Sequence, residues 1–92
     1  MDFLHEEGSK KGRFHSEDNR AEIVYNWFRD DAVIIEHTEV DESLAGQGIG
    51  KQLVNAVVAW AREKGIRLLP LCVFAKGLME KDETYQDVLY KG

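Results

Sequence analysis

Three glycines within five residues are the feature of this sequence that most clearly implies chemistry. Residues 46–50 read Gly-Gln-Gly-Ile-Gly, and Lys51 follows directly. Each glycine at the start of a helix costs about 1 kcal/mol relative to alanine, so the run is unfavourable unless the backbone must come close to something. What the run offers is a set of unobstructed N–H groups at the positive end of a helix dipole, which can bind a phosphate group.

The charges behind the glycine run agree with an anion site. A helix without a ligand at its start normally carries Asp or Glu in its first turn, but here Lys51 occupies that turn and the next acid is Glu63. The run lacks the Gly-Lys-Ser/Thr ending of a nucleotide triphosphate loop, and its G-x-G-x-G spacing differs from the G-x-G-x-x-G of a dinucleotide site. The alternative is a turn that only lets a helix and a strand pack closely.

The residues around the glycine run predict the elements that position it. Residues 21–28 alternate in polarity and contain β-branched and aromatic side chains, and residues 32–40 follow a short polar connection, so the two predict a β-hairpin. Apolar residues from Ile49 to Ala61 recur at helical spacing, and Gly65 supplies a C-terminal stop. The apolar run 66–74 predicts a strand covered on both faces, with Pro70 at a bulge or beside a gap in the sheet.

The order strand, helix, strand predicts a right-handed crossover that places residues 33–40 and 67–73 parallel and close together. Arg13–His15 is predicted as a short edge strand, and residues 75–92 have apolar residues at loosely helical spacing. These elements predict an α+β fold formed by a single domain over residues 1–92.

Composition excludes several classes of protein. Twelve Lys and Arg against seventeen Asp and Glu give a net charge of −5, which argues against a nucleic-acid or anionic-membrane surface. The sole cysteine cannot form an internal disulfide, so a reducing compartment, the cytoplasm, is expected. The N-terminus is acidic and has no apolar segment, so no signal peptide is expected, and no apolar stretch approaches the ~20 residues that span a membrane.

Residues 44–54, Leu-Ala-Gly-Gln-Gly-Ile-Gly-Lys-Gln-Leu-Val, resemble the acetyl-CoA signature Gln/Arg-x-x-Gly-x-Gly/Ala of the GNAT superfamily of N-acetyltransferases. His37–Val40 and Leu71–Phe74 resemble, more narrowly, a branch of very short single-domain GNAT proteins. The resemblance extends from about residue 23 to the end. It implies a mixed sheet of antiparallel hairpin strands and a βαβ crossover, with the parallel strands splayed around the cofactor. Ala45 departs from the signature, since Gln or Arg is usual there.

The resemblance also implies a cosubstrate, acetyl-CoA, and the residues that hold it. Backbone groups of one strand would bind the pantetheine arm, and the glycine run would bind the pyrophosphate. The pantetheine residues are Thr38, Glu39 and Val40, and the pyrophosphate residues are Gln47, Gly48, Ile49, Gly50 and Lys51.

His37 and Cys72 are the candidate catalytic residues. Histidine is the usual base near neutral pH, and the resemblance implies that His37 and Cys72 face each other across the cofactor cleft. An apolar strand around Cys72 would raise the pKa of its thiol, which favours a direct transfer with Cys72 as acid over a transient acetyl-cysteine. Tyr85 is an alternative acid, and each of the three could instead be an ordinary packed residue.

No metal site is expected, because His5, His15, His37 and Cys72 lack zinc-ligand spacing. The predicted function is acetyl-CoA-dependent N-acetyl transfer to an amine, either a small molecule or a protein lysine. Asp41 and Glu42 are either solvated turn residues or groups that attract a cationic amine.

The alternative function is a non-catalytic module on the same fold that binds CoA or a protein partner, or, less favoured, a structural subunit of a larger complex. Two features motivate it: the substitution at Ala45, and the short length of chain outside the cofactor core.

Overall fold

The computed structural model describes residues 1–91, which form one mixed sheet with two α-helices. The five strands lie in chain order, all neighbours being antiparallel except the last pair, which is parallel. The predicted α+β class is confirmed. In chain order the elements are β1 (Leu4–Glu7), β2 (Lys11–His15), β3 (Ala21–Arg29), β4 (Ala32–Val40), α1 (Ile49–Lys64), β5 (Arg67–Pro70) and α2 (Val73–Lys81), with 3-10 turns at Glu42–Leu44 and Glu83–Tyr85.

The β3–β4 hairpin and α1 form where the sequence patterns predict them. Ile23, Tyr25 and Ile35 are fully buried in the hydrophobic core. The helix contributes a buried stripe to the same core and ends at Gly65, whose left-handed conformation (φ 70°) closes its last turn. Neither helix in residues 1–91 is long and apolar enough to span a membrane.

The N-terminal part of the sheet differs from the prediction. Arg13–His15 was expected at the sheet edge, but β2 lies between β1 and β3. The edge strand is β1, with the sequence Leu-His-Glu-Glu. Its polar composition gives no alternating pattern, and it is held by antiparallel pairing along β2.

The strand predicted over residues 66–74 is wrong in its second half, because β5 ends at Pro70. The N–H groups of Leu71 and Cys72 both donate to the carbonyl of Ile35, at 3.1 and 3.2 Å, and the chain then turns into α2 with Cys72 as its N-cap. Proline lacks an N–H to continue the ladder. The apolar run beyond it is not buried on two faces, since Val73 is 88% exposed.

The early end of β5 opens the sheet on one side of β4. The two parallel strands pair only between Ala32–Ile35 and Arg67–Pro70. Past that point β4 continues to Val40, while α2 takes the chain away from the sheet. Residues 36–40 of β4 therefore have β3 on one side and no strand on the other.

Candidate functional site

A groove of about 640 Å³ joins the end of β4 to the start of α1 and is closed on one side by α2. Its walls are mainly apolar side chains and loop backbone. The lining residues are Thr38, Val40, Asp41, Glu42, Leu44, Ala45, Gly46, Gly48, Ile49, Gly50, Lys51, Phe74 and Leu78. It contains most of the predicted cofactor residues, but Glu39 and Gln47 are not among its walls.

Two residues of the glycine run have backbone conformations that favour glycine, and no side chain in the described part of the chain covers them. Gly46 (φ 79°) and Gly48 (φ 70°) are left-handed, and Gly48 is the N-cap of α1 without a side-chain cap. No other atom lies within 4 Å of where a Cβ would stand on either residue. The first N–H groups of a helix have no partner within the helix, and the first turn of α1 carries no acid. This open, uncapped helix start fits a pyrophosphate group.

Gly50 has a different role in the same run. A Cβ on this residue would lie 2.8 Å from Cζ of Phe74, so the residue must be small for α2 to pack against α1. The glycine run therefore allows close packing of α1 and α2 at Gly50 and leaves the backbone open at Gly46 and Gly48, where anion binding stays a prediction.

The free edge of β4 offers backbone groups to the same groove. The N–H of Asp41 donates to the carbonyl of Arg20 at 2.7 Å, which directs its backbone towards β3. Successive residues alternate in direction, so the polar groups of Thr38 and Val40 face the groove and those of Glu39 face β3. A strand-like arm such as pantetheine fits this edge through Thr38 and Val40.

Cys72 lies beside this edge, at the N-cap of α2, with its Sγ 3.3 Å from Oγ1 of Thr38. Burial raises the pKa of the thiol, but hydrogen bonding from Thr38 and from the backbone N–H groups of Phe74 and Ala75 outweighs it and lowers the pKa below its ordinary value. The expectation of a raised pKa is therefore wrong, because Cys72 lies at a helix start and not within an apolar strand.

His37 lies on the other face of the sheet. Its Nε2 is 3.6 Å from Oε2 of Glu22, and its side chain is 48% exposed. His37 pairs in register with Val24, whereas Thr38 pairs with the core residue Ile23, so the two side chains point to opposite faces. The structure therefore does not bring the His37 imidazole and the Cys72 thiol together across the groove.

Glu22 lies beside His37, a contact that was not predicted from the sequence. Burial raises the pKa of its carboxyl, but the hydrogen bond from Arg13 and the nearby ring of His37 outweigh it and lower the pKa. Glu22 thus places a carboxylate beside the ring of His37. The contact depends on the register between β3 and β4, and this register cannot be read from the spacing of residues in the sequence.

Among the described residues, three side chains that could bind a metal ion come together from two strands, although they are not close in sequence. Carboxylate oxygens of Glu22 and Glu39 and a ring nitrogen of His37 lie within 4.8 Å of one another. Arg13 already pairs with Glu22 at 2.9 Å. His15 has other partners, since its Nε2 lies 2.7 Å from Glu6.

Two other candidates have structural contacts. Tyr85 is buried, and its hydroxyl donates to Oδ1 of Asn55 at 2.6 Å, so it packs the C-terminal segment on α1 and does not line the groove. Asp41 accepts the N–H of Ser43 at 2.9 Å and caps the following turn, which lowers the pKa of its carboxyl.

Comparisons with known proteins agree with the fold. Residues 13–88 match the family model of the GCN5-related N-acetyl-transferases. A solution NMR structure of a "GCN5-like putative N-acetyltransferase" from Staphylococcus aureus is similar, with 39% identity and a TM-score of 0.72 over 95% of this chain and 87% of that chain. No curated protein matches the sequence. The family expected from the glycine run is confirmed, and the chain belongs to the GCN5-related N-acetyltransferases.

Proposed function

We propose that the protein transfers an acetyl group directly from acetyl-CoA to an amine. The observation that carries the proposal is the single groove that joins the open start of α1 to the free edge of β4. An N–H-rich helix start and an unpaired strand edge are the two surfaces that a pyrophosphate with a pantetheine arm requires. Bound acetyl-CoA supplies the activated acetyl group as a thioester.

In this proposal the residues divide by the part of acetyl-CoA that they hold. Backbone N–H groups at Gly48, Ile49, Gly50 and Lys51 bind the pyrophosphate, with Gln47 in the same loop. Thr38 and Val40 bind the pantetheine arm through the free edge of β4, and Glu39 between them pairs with Glu22 of β3.

The protons move on opposite sides of β4. The amine attacks the thioester carbon past the free edge of β4, where no strand of residues 1–91 separates the two faces of the sheet. His37 accepts the proton of the amine from the open face, and Glu22 stabilises the imidazolium that results. Cys72 gives a proton to the departing thiolate from the groove side. A thiol whose pKa lies below its ordinary value is a better matched acid near neutral pH. Exchange with water then restores both residues.

The acceptor in this proposal is a small-molecule amine or a lysine of a protein. It approaches the open face of the sheet, where a second groove of about 620 Å³ includes Glu6, Glu22 and His37. Its lining holds Glu6, Glu7 and Glu22 against Lys11 and Arg13, a small acidic excess that favours a cationic acceptor over an anionic one. The unpaired thiol of Cys72 suits a reducing compartment, so we place the protein in the cytoplasm.

Restoring the missing signature residue tests the alignment of the pyrophosphate. Ala45 lines the groove beside the glycine run. Ala45→Arg should add a charge-assisted hydrogen bond of about 1.5–3 kcal/mol, so acetyl-CoA should bind more tightly at low salt and lose this gain at high salt. Calorimetric titration measures the affinity, with Ala45→Gln as the uncharged control. An unchanged affinity at low salt would place the pyrophosphate elsewhere.

Removing the imidazole tests the proposed base. His37→Ala should lower the rate of acetyl transfer most severely below about pH 8, where an alkylamine is largely protonated. Its affinity for acetyl-CoA should not change, because His37 does not line the cofactor groove. The pH profile of kcat/KM for the amine measures the effect. A variant with the wild-type profile would exclude His37 as the base.

One observation favours the non-catalytic alternative. Leu71, Val73 and Phe74 expose apolar side chains around the start of α2, by 60%, 88% and 47%. Exposed apolar clusters are common at protein interfaces. In a binding module, acetyl-CoA would be bound without release of free CoA in the presence of amines.

A further inference from the structure

We infer that the hydroxyl of Thr38 is a positioning residue that holds the sulfur of Cys72 for proton exchange at the edge of the groove. The inference rests on the proposed function, in which Cys72 exchanges a proton with the cosubstrate thiolate. It gives the Thr38 side chain a role separate from that of its backbone.

Backbone hydrogen bonds hold the main chain of Cys72 in place, and its sulfur has one side-chain partner. The N–H of Cys72 donates to Ile35 at 3.2 Å, and its carbonyl accepts the N–H of Lys76 at 2.8 Å. Backbone N–H groups of Phe74 and Ala75 also lie near the sulfur. Among the side-chain hydrogen bonds of residues 1–91, Cys72 takes part in one, with Oγ1 of Thr38 at 3.3 Å.

Thr38 is well placed to hold this sulfur. Its register with Ile23 directs the side chain to the same face as the core and α1. It also lines the groove at the residue where the backbone of β4 faces the free edge. As a β-branched residue in a strand, threonine has a restricted χ1, so its hydroxyl is held in position at little entropic cost.

A hydroxyl serves both protonation states of the thiol. It accepts a hydrogen bond from S–H and donates a stronger, charge-assisted one to the thiolate, so its removal should raise the pKa of the thiol. The contact can therefore persist while Cys72 loses and regains its proton. The backbone N–H groups near the sulfur only donate, so they favour the thiolate alone.

The test is the pH dependence of alkylation of Cys72 by iodoacetamide, followed by intact-protein mass. The chain has one cysteine, so the adduct reports this thiol alone. Thr38→Val removes the hydroxyl with little change in volume, and the alkylation midpoint should rise by about half a unit to one unit. Thr38→Ser keeps the hydroxyl and should restore most of the wild-type midpoint.

Thr84→Val is the matched control, because Thr84 donates its hydroxyl to Asp82 and has no contact with Cys72. Its midpoint should equal that of the wild type. If Thr38→Val fails to fold by circular dichroism, the comparison of Thr38→Ser and Thr38→Ala replaces it, with the shift expected in alanine alone. A midpoint that does not respond to loss of the hydroxyl would overturn the inference.

The alkylation midpoint is measured without acetyl-CoA, so it separates this inference from the proposed function. A raised midpoint together with a lower kcat and an unchanged KM for acetyl-CoA in Thr38→Val would support both. A raised midpoint in a protein that transfers no acetyl group would support the contact and overturn the proposed function.

Discussion

Gly48→Val should abolish the rise in melting temperature that acetyl-CoA gives the wild-type protein. At 100 times its dissociation constant a ligand stabilises a protein by about 2.7 kcal/mol, which is on the order of 10 °C for a domain of this size. The Cβ position of Gly48 faces open space at the helix start, where the pyrophosphate is proposed to bind. A branched side chain there fills that space. Differential scanning fluorimetry with and without acetyl-CoA measures the melting temperature of each variant and its rise on ligand binding.

The chain supplies a matched control at the other end of the same helix. Gly65 has the same φ of 70° as Gly48 and also has no neighbouring atom within 4 Å of its Cβ position. Gly65→Val therefore carries a similar backbone strain, about 1–2 kcal/mol or more for a branched residue. It should melt lower than the wild type but keep the full ligand shift. An equal shift in the two variants would show that the loop does not bind acetyl-CoA.

Cys72→Ala should slow acetyl transfer by about 10²-fold or less, the lower end of what general acid–base catalysis contributes. Binding of acetyl-CoA should be retained, since Cys72 does not line the groove. Steady-state release of CoA with a saturating amine measures the rate. Full activity in both Cys72→Ala and His37→Ala would mean that positioning of the two substrates alone carries the reaction.

The acetylation state of Cys72 distinguishes direct from covalent transfer. Incubation with acetyl-CoA and no amine should leave the protein mass unchanged if the transfer is direct. The lowered pKa of the thiol also increases its thiolate fraction, which is the nucleophilic form. Stoichiometric acetylation at Cys72, reversed by adding an amine, would establish an acetyl-enzyme instead.

The parts of the fold that could be predicted are those whose signal is local. The β3–β4 hairpin and α1 each bury one face, so their apolar residues repeat with period 2 or 3.6. β1 has no such signal, because most of it is exposed and it is held by backbone pairing with β2 and by its one partly buried side chain, that of His5, which stacks on Phe14. The end of β5 was missed because a continuous apolar run does not reveal which of its residues are covered.

In the candidate site, too, only the features with a local sequence signal could be predicted. The glycine run could be identified because its spacing is contiguous in sequence. The partners of the two catalytic candidates could not, since Glu22 reaches His37 across a pairing that contains a bulge after Val24. Cys72 was expected to face His37, but a strand that ends at Pro70 moves it to a helix start beside Thr38.

The central claim is that the groove serves acetyl transfer and not only binding. The most direct measurement incubates the protein with isotopically labelled acetyl-CoA and a mixture of polyamines, amino sugars and lysine peptides, followed by mass spectrometry of the amines. The account predicts label on at least one amine, one free CoA released for each acetyl group transferred, and loss of both in Gly48→Val but not in Gly65→Val. Saturation with acetyl-CoA while every amine stays unlabelled, and CoA release no faster than without protein, would contradict it.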